Sequence, residues 1–188
     1  TENESLGGDG GGLYSAGATS KIGLRGKIDI TNTLIARNFA EASGGGIVSD
    51  GSGHLVLTDS EILDNMSEDD GGGLFSEGET SLTVTRTDFI GNETNNEGGG
   101  AWTGGGRLTT FKDSLFEGNK AGVPEIDPLT NAPVISPNTA GGGGLFTEGG
   151  PVRSTGWTVT DYSATEEGVG LSIDNKGSFT FTDSLVKN

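Results

Sequence analysis

The chain has 188 residues, 30% hydrophobic and 6% aromatic, with a formal net charge of −16 and no cysteine. Without a thiol it has no disulfide framework, thiolate metal site or cysteine nucleophile. Its negative charge excludes nucleic acid and disfavours an anionic membrane surface, since phosphate binding needs a basic footprint.

No apolar run approaches the ~18 residues of a membrane span, and the opening TENESLGG has no signal-peptide character, so an exported form would carry its signal upstream. Glycine is abundant at 36 residues, but proline at 5 is too scarce for collagen. Order in the spacing argues against a disordered chain. Asn3 and the following GGDGGGLY have the form of the tail of an earlier coil. IDIT (28–31) then alternates apolar and polar residues, which is strand spacing. LVLT (55–58), LTVT (82–85), WTVT (157–160) and FTFT (179–182) repeat that pattern. No 10-residue stretch has helical periodicity.

Between the strands an asparagine returns: Asn38, Asn65, Asn92 and Asn119, each 27 residues after the last. Each stands three residues after an apolar one, Ile35, Ile62, Phe89 and Phe116. Glycine triplets end at Gly46, Gly73 and Gly100, again 27 apart, and a further run ends at Gly144. Gly12 to Gly46 spans 34 residues and Gly100 to Gly144 spans 44, so loop insertions are expected at about 16–26 and 120–140. A later coil places Thr165 at the asparagine position, and Asn188 holds it in the last. One such unit cannot bury its own apolar face, but stacked units can. The prediction is a single all-β domain over 1–188, a parallel β-helix of about six coils of ~27 residues. Asparagine suits a corner because it tolerates left-handed backbone and can bond turn carbonyls, stacking into an inward ladder. Glycine suits one because it takes positive φ and lets coils ~4.8 Å apart meet.

GGGLY, GGGIV, GGGLF, GGGAW and GGGLF, alternating with FIGN (89–92) and FEGN (116–119), resemble the paired glycine-rich and F-x-x-N motifs of the bacterial polymorphic outer-membrane proteins. The resemblance covers nearly the whole chain. It departs where glycine fills the third motif position, and where Ile35 and Ile62 replace phenylalanine. It implies a right-handed β-helix, a surface-exposed passenger and a role in adhesion.

Several residues are candidates for chemistry. Asp64, Glu68, Asp69 and Asp70, facing Glu93 and Glu97 one coil on, offer oxygen ligands suited to Ca²⁺ or form a solvated loop. No other cofactor is implied. GGDGGGLYS (7–15) lacks the aspartate of the calcium-binding nonapeptide and has the wrong period. His54, the one histidine, reads as a turn residue, with no triad around it. Asp59, Asp113, Asp161 and Asp183 recur after strands, as an architectural ladder or as carboxylates for a carbohydrate-active lyase or hydrolase. Thr31, Thr58, Thr85, Thr160 and Thr182 suggest an outward column, with Thr83, Thr158 and Thr180 two residues earlier. Such pairs resemble ice-binding β-solenoids, although exposed strand positions favour threonine anyway. In the second insertion Val123, Ile126, Leu129, Val134 and Ile135 are apolar enough to pack on the flank or meet a partner. The expected role is an extracellular or cell-surface structural and adhesive module, self-associating or meeting other surface proteins. The alternatives are surface or polysaccharide binding, ice included, and carbohydrate-active catalysis.

Overall fold

The computed structural model describes residues 3–16, 26–105, 107–123, 125–126, 133–134, 141–164, 168, 170–174 and 177–187. These form a β-helix whose coils contribute to four parallel sheets. The first sheet is short: Glu4–Ser5, Phe39–Ala40, Met66–Ser67 and Glu93–Thr94, continued by single bridges through Lys120 and Ser163. The second runs through Leu13–Ala16, Ile47–Asp50, Leu74–Ser76, Ala101–Gly104, Leu145–Glu148 and Leu171–Asp174. The third holds the longest strands: Gly26–Thr31, Ser52–Thr58, Glu79–Thr85, Thr109–Lys112, Pro151–Thr155 and Ser178–Thr182. The fourth comprises Leu34–Ala36, Glu61–Leu63, Asp88–Ile90, Leu115–Glu117, Thr158–Thr160 and Leu185–Lys187.

Alternation decides what goes inside. Leu55, Leu57, Leu82, Val84 and Phe111 of the third sheet point inward and meet Ile62, Phe89 and Phe116 of the fourth and Ile47, Leu74 and Leu145 of the second. Like residues stack along the axis: Phe89 on Phe116 at 4.4 Å, and Phe111 on Trp157 at 5.1 Å. Ala16 pairs with Asp50 but Gly26 with Gly53, so the extra residues fall between them.

The asparagine ladder is present. The backbone N–H and side-chain amide of Asn65 both donate to Oδ1 of Asn92, each at 3.0 Å, and Asn92 does the same to Asn119. The second Nδ2 proton of Asn92 goes to the Ile62 carbonyl at 2.8 Å, and that of Asn119 to Phe89. Asn38 joins below through Asn65, and Asn3 donates to Asn38 at 2.8 Å, so the earlier coil is real. A quieter column of hydroxyls runs beside it: the N–H of Thr33, Ser60, Thr87 and Trp157 each donates to the hydroxyl one coil on, from Ser60, Thr87, Ser114 and Ser184.

Three expectations need correction. The glycine corners do not all use positive φ. It is the first glycine of each triplet that is left-handed, at Gly44, Gly71, Gly98 and Gly142. Gly46, Gly73, Gly100 and Gly144, the predicted corner glycines, are needed for contact: a Cβ on Gly73 would sit 2.5 Å from the Gly100 carbonyl oxygen.

Next, WTVT does not continue the third sheet. Val152 pairs with Thr109 and Phe179, so Val152-Arg153-Ser154-Thr155 holds that place, while Thr158–Thr160 belongs to the fourth sheet. Both segments alternate with the same period, and WTVT merely looks more like LTVT. The outward columns therefore contain Lys112 and Arg153, and Thr158 and Thr160 leave them. Asp161 likewise leaves the series of Asp59, Asp113 and Asp183, since it follows the fourth sheet and they follow the third.

Finally, Tyr162 takes the ladder position after Asn119, because Val159 pairs with Phe116 and the Ser163 N–H donates to the Asn119 carbonyl. Its ring lies under Gly170, where a Cβ would be 2.6 Å from Cζ. Thr165 and Asn188 lie outside the described residues.

Corner aspartates also have a local cause. Asp59, Asp113 and Asp183 have φ near +50°, as do Asn32 and Arg86 in the same column and Asp64 and Asp161 after the fourth sheet. Asn and Asp are the non-glycine residues that tolerate this region best.

Candidate functional site

Three places on the surface gather chemistry. The first is the acidic corner between the first and second sheets. Asp70 is largely buried, and its Oδ1 accepts from Asn96 Nδ2 at 2.8 Å and the Glu97 N–H at 3.1 Å. Asp69 uses its backbone carbonyl to accept from the Thr94 hydroxyl. Glu97 accepts from Trp102 Nε1 at 3.4 Å and its charge bears on Asp70, whereas Glu93 is tied to Lys120. Asp64 sits apart from this corner, over Gly91 of the next coil. Glu68 is exposed at the corner's rim. Among the described residues no three His, Asp or Glu side chains are arranged to hold a metal ion. Asp9, in the glycine-rich opening, accepts from the Ser43 N–H at 3.0 Å. Beside the corner, Phe75, Trp102 and Phe146 stack outward along the second sheet.

Burial first, then the neighbouring Asp69 charge, pushes the Asp70 carboxyl up from 3.8 to about 7, against the bonds from Glu97 and Asn96. Burial also raises Glu97, and it raises Glu77, helped there by Asp50, Glu148 and Asp9. The folded state thus holds the Asp70 proton more tightly than the unfolded chain does. Its contribution to stability is full below pH ~4 and is lost as pH rises through about 7. Asp70→Asn keeps the accepting oxygen and removes the charge. It is expected to raise stability at pH 8 by roughly 2–4 kcal/mol and to flatten the decline of the melting temperature between pH 5 and 8. A parent and variant with parallel pH profiles would contradict this.

The second place is a shallow groove of about 510 Å³ at the corner between the third and fourth sheets, lined by Asn32, Thr33, Leu34, Asp59, Ser60, Glu61, Arg86 and Asp88. Arg86 binds Asp59 with two bonds, at 2.5 and 2.8 Å, and this holds the Asp59 carboxyl below its usual range. Glu61 and Asp88 stand opposite each other on adjacent strands, and neither carboxylate has an ion-pair or hydrogen-bond partner among the described residues. Of these, sequence reading singled out only Asp59. Glu61 follows Asp59 by two residues, and Arg86 and Asp88 follow these two by one coil, so the four come together only once adjacent coils are paired. His54 points outward on the third sheet, with Nε2 3.1 Å from the Thr83 hydroxyl.

The third place is the apolar surface of the first and last described coils. The N-terminal coil exposes Leu6, Tyr14 and Leu34, and the C-terminal coil exposes Ile173, Phe181, Leu185 and Val186. In the second insertion Glu125–Ile126 pairs antiparallel with Pro133–Val134, and the Val123 N–H donates to the Thr94 carbonyl, which anchors the segment to the acidic corner. Leu129 and Ile135 lie outside the described residues.

An all-β stack of in-register coils with an interior asparagine ladder defines a β-solenoid repeat protein. A family model described as a right handed beta helix region matches residues 22–188, and the chain belongs to that family. No curated protein and no solved structure matches it.

Proposed function

We propose that this chain is an extracellular structural and adhesive module, a stiff β-helical rod that holds outer loops and faces toward a partner surface. The observation that supports this most is the use made of the repeat's polar residues. Asparagines and the hydroxyl column are spent on joining coil to coil, and the corner aspartates on the left-handed backbone of the turns, at the same place in each turn. That is how a scaffold uses its polar residues. The resemblance to polymorphic outer-membrane passengers agrees with it. The broken threonine columns, with Lys112 and Arg153 in them, disfavour a flat ice-binding face.

Carbohydrate-active catalysis is the second reading, favoured by the groove that gathers Asp59, Arg86, Glu61 and Asp88. One experiment separates the two. The chain is incubated with neutral and acidic polysaccharides while new reducing ends and unsaturated products are followed. Beads coated with it are washed on protein-coated and neutral-polysaccharide-coated surfaces beside beads carrying an unrelated acidic protein. No turnover and greater retention are expected. Turnover lost in Glu61→Gln or Asp88→Asn would put the catalytic reading in its place, and equal retention would remove the adhesive part.

A further inference from the structure

We infer that Asn65 and Asn92 are acceptors for an N-linked glycan only while the chain is unfolded. A glycan on either one excludes the β-helix, so folding and glycosylation are alternative fates of this chain. Asn65-Met66-Ser67 and Asn92-Glu93-Thr94 both have the form N-x-Ser/Thr with no proline between. That tripeptide is the acceptor signal for a glycan and ordinarily marks a surface loop. Here it falls on two rungs of the interior ladder. Asn65 is 1% exposed and Asn92 0%, and both hydroxyl residues, Ser67 and Thr94, are at 0%.

Transfer replaces one Nδ2–H bond by a bond from Nδ2 to the first sugar's anomeric carbon. The bond from that carbon to a lipid diphosphate breaks, the diphosphate leaves, and a base on the transferase takes the proton. In the folded chain both Nδ2 protons are committed. Those of Asn92 go to Asn119 Oδ1 at 3.0 Å and the Ile62 carbonyl at 2.8 Å. Those of Asn65 go to Asn92 Oδ1 and the Ile35 carbonyl, each at 3.0 Å. A sugar would displace one of these acceptors. Nor is there room for it. A single Cβ on Gly73 would lie 3.1 Å from Asn92 Nδ2, and one on Gly46 would lie 3.1 Å from Asn65 Nδ2. A gap already tight for one methyl group cannot take a hexose, since protein interiors are packed as closely as organic crystals.

The acceptor signal has a structural origin. The residue two places after each ladder asparagine is small and buried: Ala40, Ser67, Thr94 and Ala121. Ala40 pairs with Ser67 and Ser67 with Thr94 in the first sheet, so the four occupy one interior position of successive coils. Where that position holds a hydroxyl it serves the stack: Ser67 Oγ lies 3.1 Å from Thr94 Oγ1 in the next coil. Two coils therefore read N-x-Ser/Thr without any demand for a sugar. An export route that carries the unfolded chain past a glycan transferase would cost it the fold. This holds whether the rod adheres or catalyses.

The test secretes the 1–188 chain, behind a cleavable signal, from cells whose secretory pathway transfers N-linked glycans. It is done with and without an inhibitor that stops assembly of the lipid-linked sugar donor. Every chain carries Ser5→Ala, which removes the third N-x-Ser/Thr, at Asn3. A second chain adds Ser67→Ala and Thr94→Ala, the residue type that Ala40 and Ala121 already bring to that position. Intact mass and peptide mapping read the glycans, and circular dichroism with limited proteolysis reads the fold. Without inhibitor, glycans are expected on Asn65 or Asn92 of the first chain, and molecules that carry one should lose the β-sheet spectrum and be digested. With inhibitor, and in the second chain without it, the molecules should be unmodified, keep the spectrum and resist the protease. Three results would overturn the inference. One is glycosylated molecules that keep the spectrum and the resistance. Another is a first chain that folds wholly unmodified without inhibitor. The third is inhibited molecules and a second chain that are both no better folded than the glycosylated ones.

Discussion

Asn92→Ala is expected to lower the unfolding free energy by roughly 2–6 kcal/mol, from two buried groups left without partners at about 1–3 kcal/mol each. Those groups are the Asn65 N–H and the Ile62 carbonyl, each bonded to the Asn92 side chain in the folded chain, whereas the Asn119 side-chain oxygen keeps the backbone N–H of residue 92. The Asn65 side-chain amide also loses its acceptor on Asn92 but keeps the Ile35 carbonyl. No water reaches the site to compensate, since Asn92 is 0% exposed. Asn3→Ala is the control: Asn3 lies at the open end of the ladder and is exposed, so its loss should cost far less. The measurement is a urea titration followed by circular dichroism. If Asn92→Ala and the parent share a midpoint, the ladder contributes nothing and the interior amides are decoration on an apolar stack.

How much of this was legible depends on what carried the signal. The 27-residue spacing of Asn38, Asn65, Asn92 and Asn119 was enough for the coil and the ladder, because a solenoid repeats its geometry in its sequence. Legibility failed where the fifth coil changes length. Thr103 to Thr109 spans six residues, but Thr147 to Val152 spans five, and the pairing keeps both in register. Beside that shift, VRST (152–155) looks less like LTVT than WTVT does, and taking WTVT for the third-sheet strand hid Tyr162 as the ladder's successor. The groove was illegible for another reason. Glu61 and Asp88 are ordinary outward strand residues in sequence, and only pairing of adjacent coils makes them neighbours. The elevated Asp70 carboxyl was hidden in the same way, since it comes first from burial, which the order of residues does not display.

Glycine shows most sharply that one residue type answers two demands here. Gly73→Ala is expected to be among the most damaging single changes, costing several kcal/mol and preventing the middle coils from closing. The new Cβ would stand 2.5 Å from the Gly100 carbonyl oxygen and 3.0 Å from Asn92 Cγ. Neither can give way: one is backbone in the next coil, the other a ladder rung, and forced overpacking of a tight interior typically costs about 1–3 kcal/mol even where side chains can move. Gly118 is a glycine of the other kind. Its φ is +65° and a Cβ there would meet nothing closer than 3.9 Å, so conformation is the whole demand. Arg37, Asp64 and Asp161 occupy the same corner in other coils with φ of 55°, 51° and 51°. Gly118→Asn should therefore be neutral or stabilising by about 0.5 kcal/mol, since asparagine tolerates the left-handed region and restricts the unfolded chain. Thermal melts of the two variants beside the parent decide it. The contrast would collapse if Gly73→Ala melted with the parent, or if Gly118→Asn fell as far as Gly73→Ala, for then the two corners would impose the same constraint and the distinction between contact and conformation would be wrong.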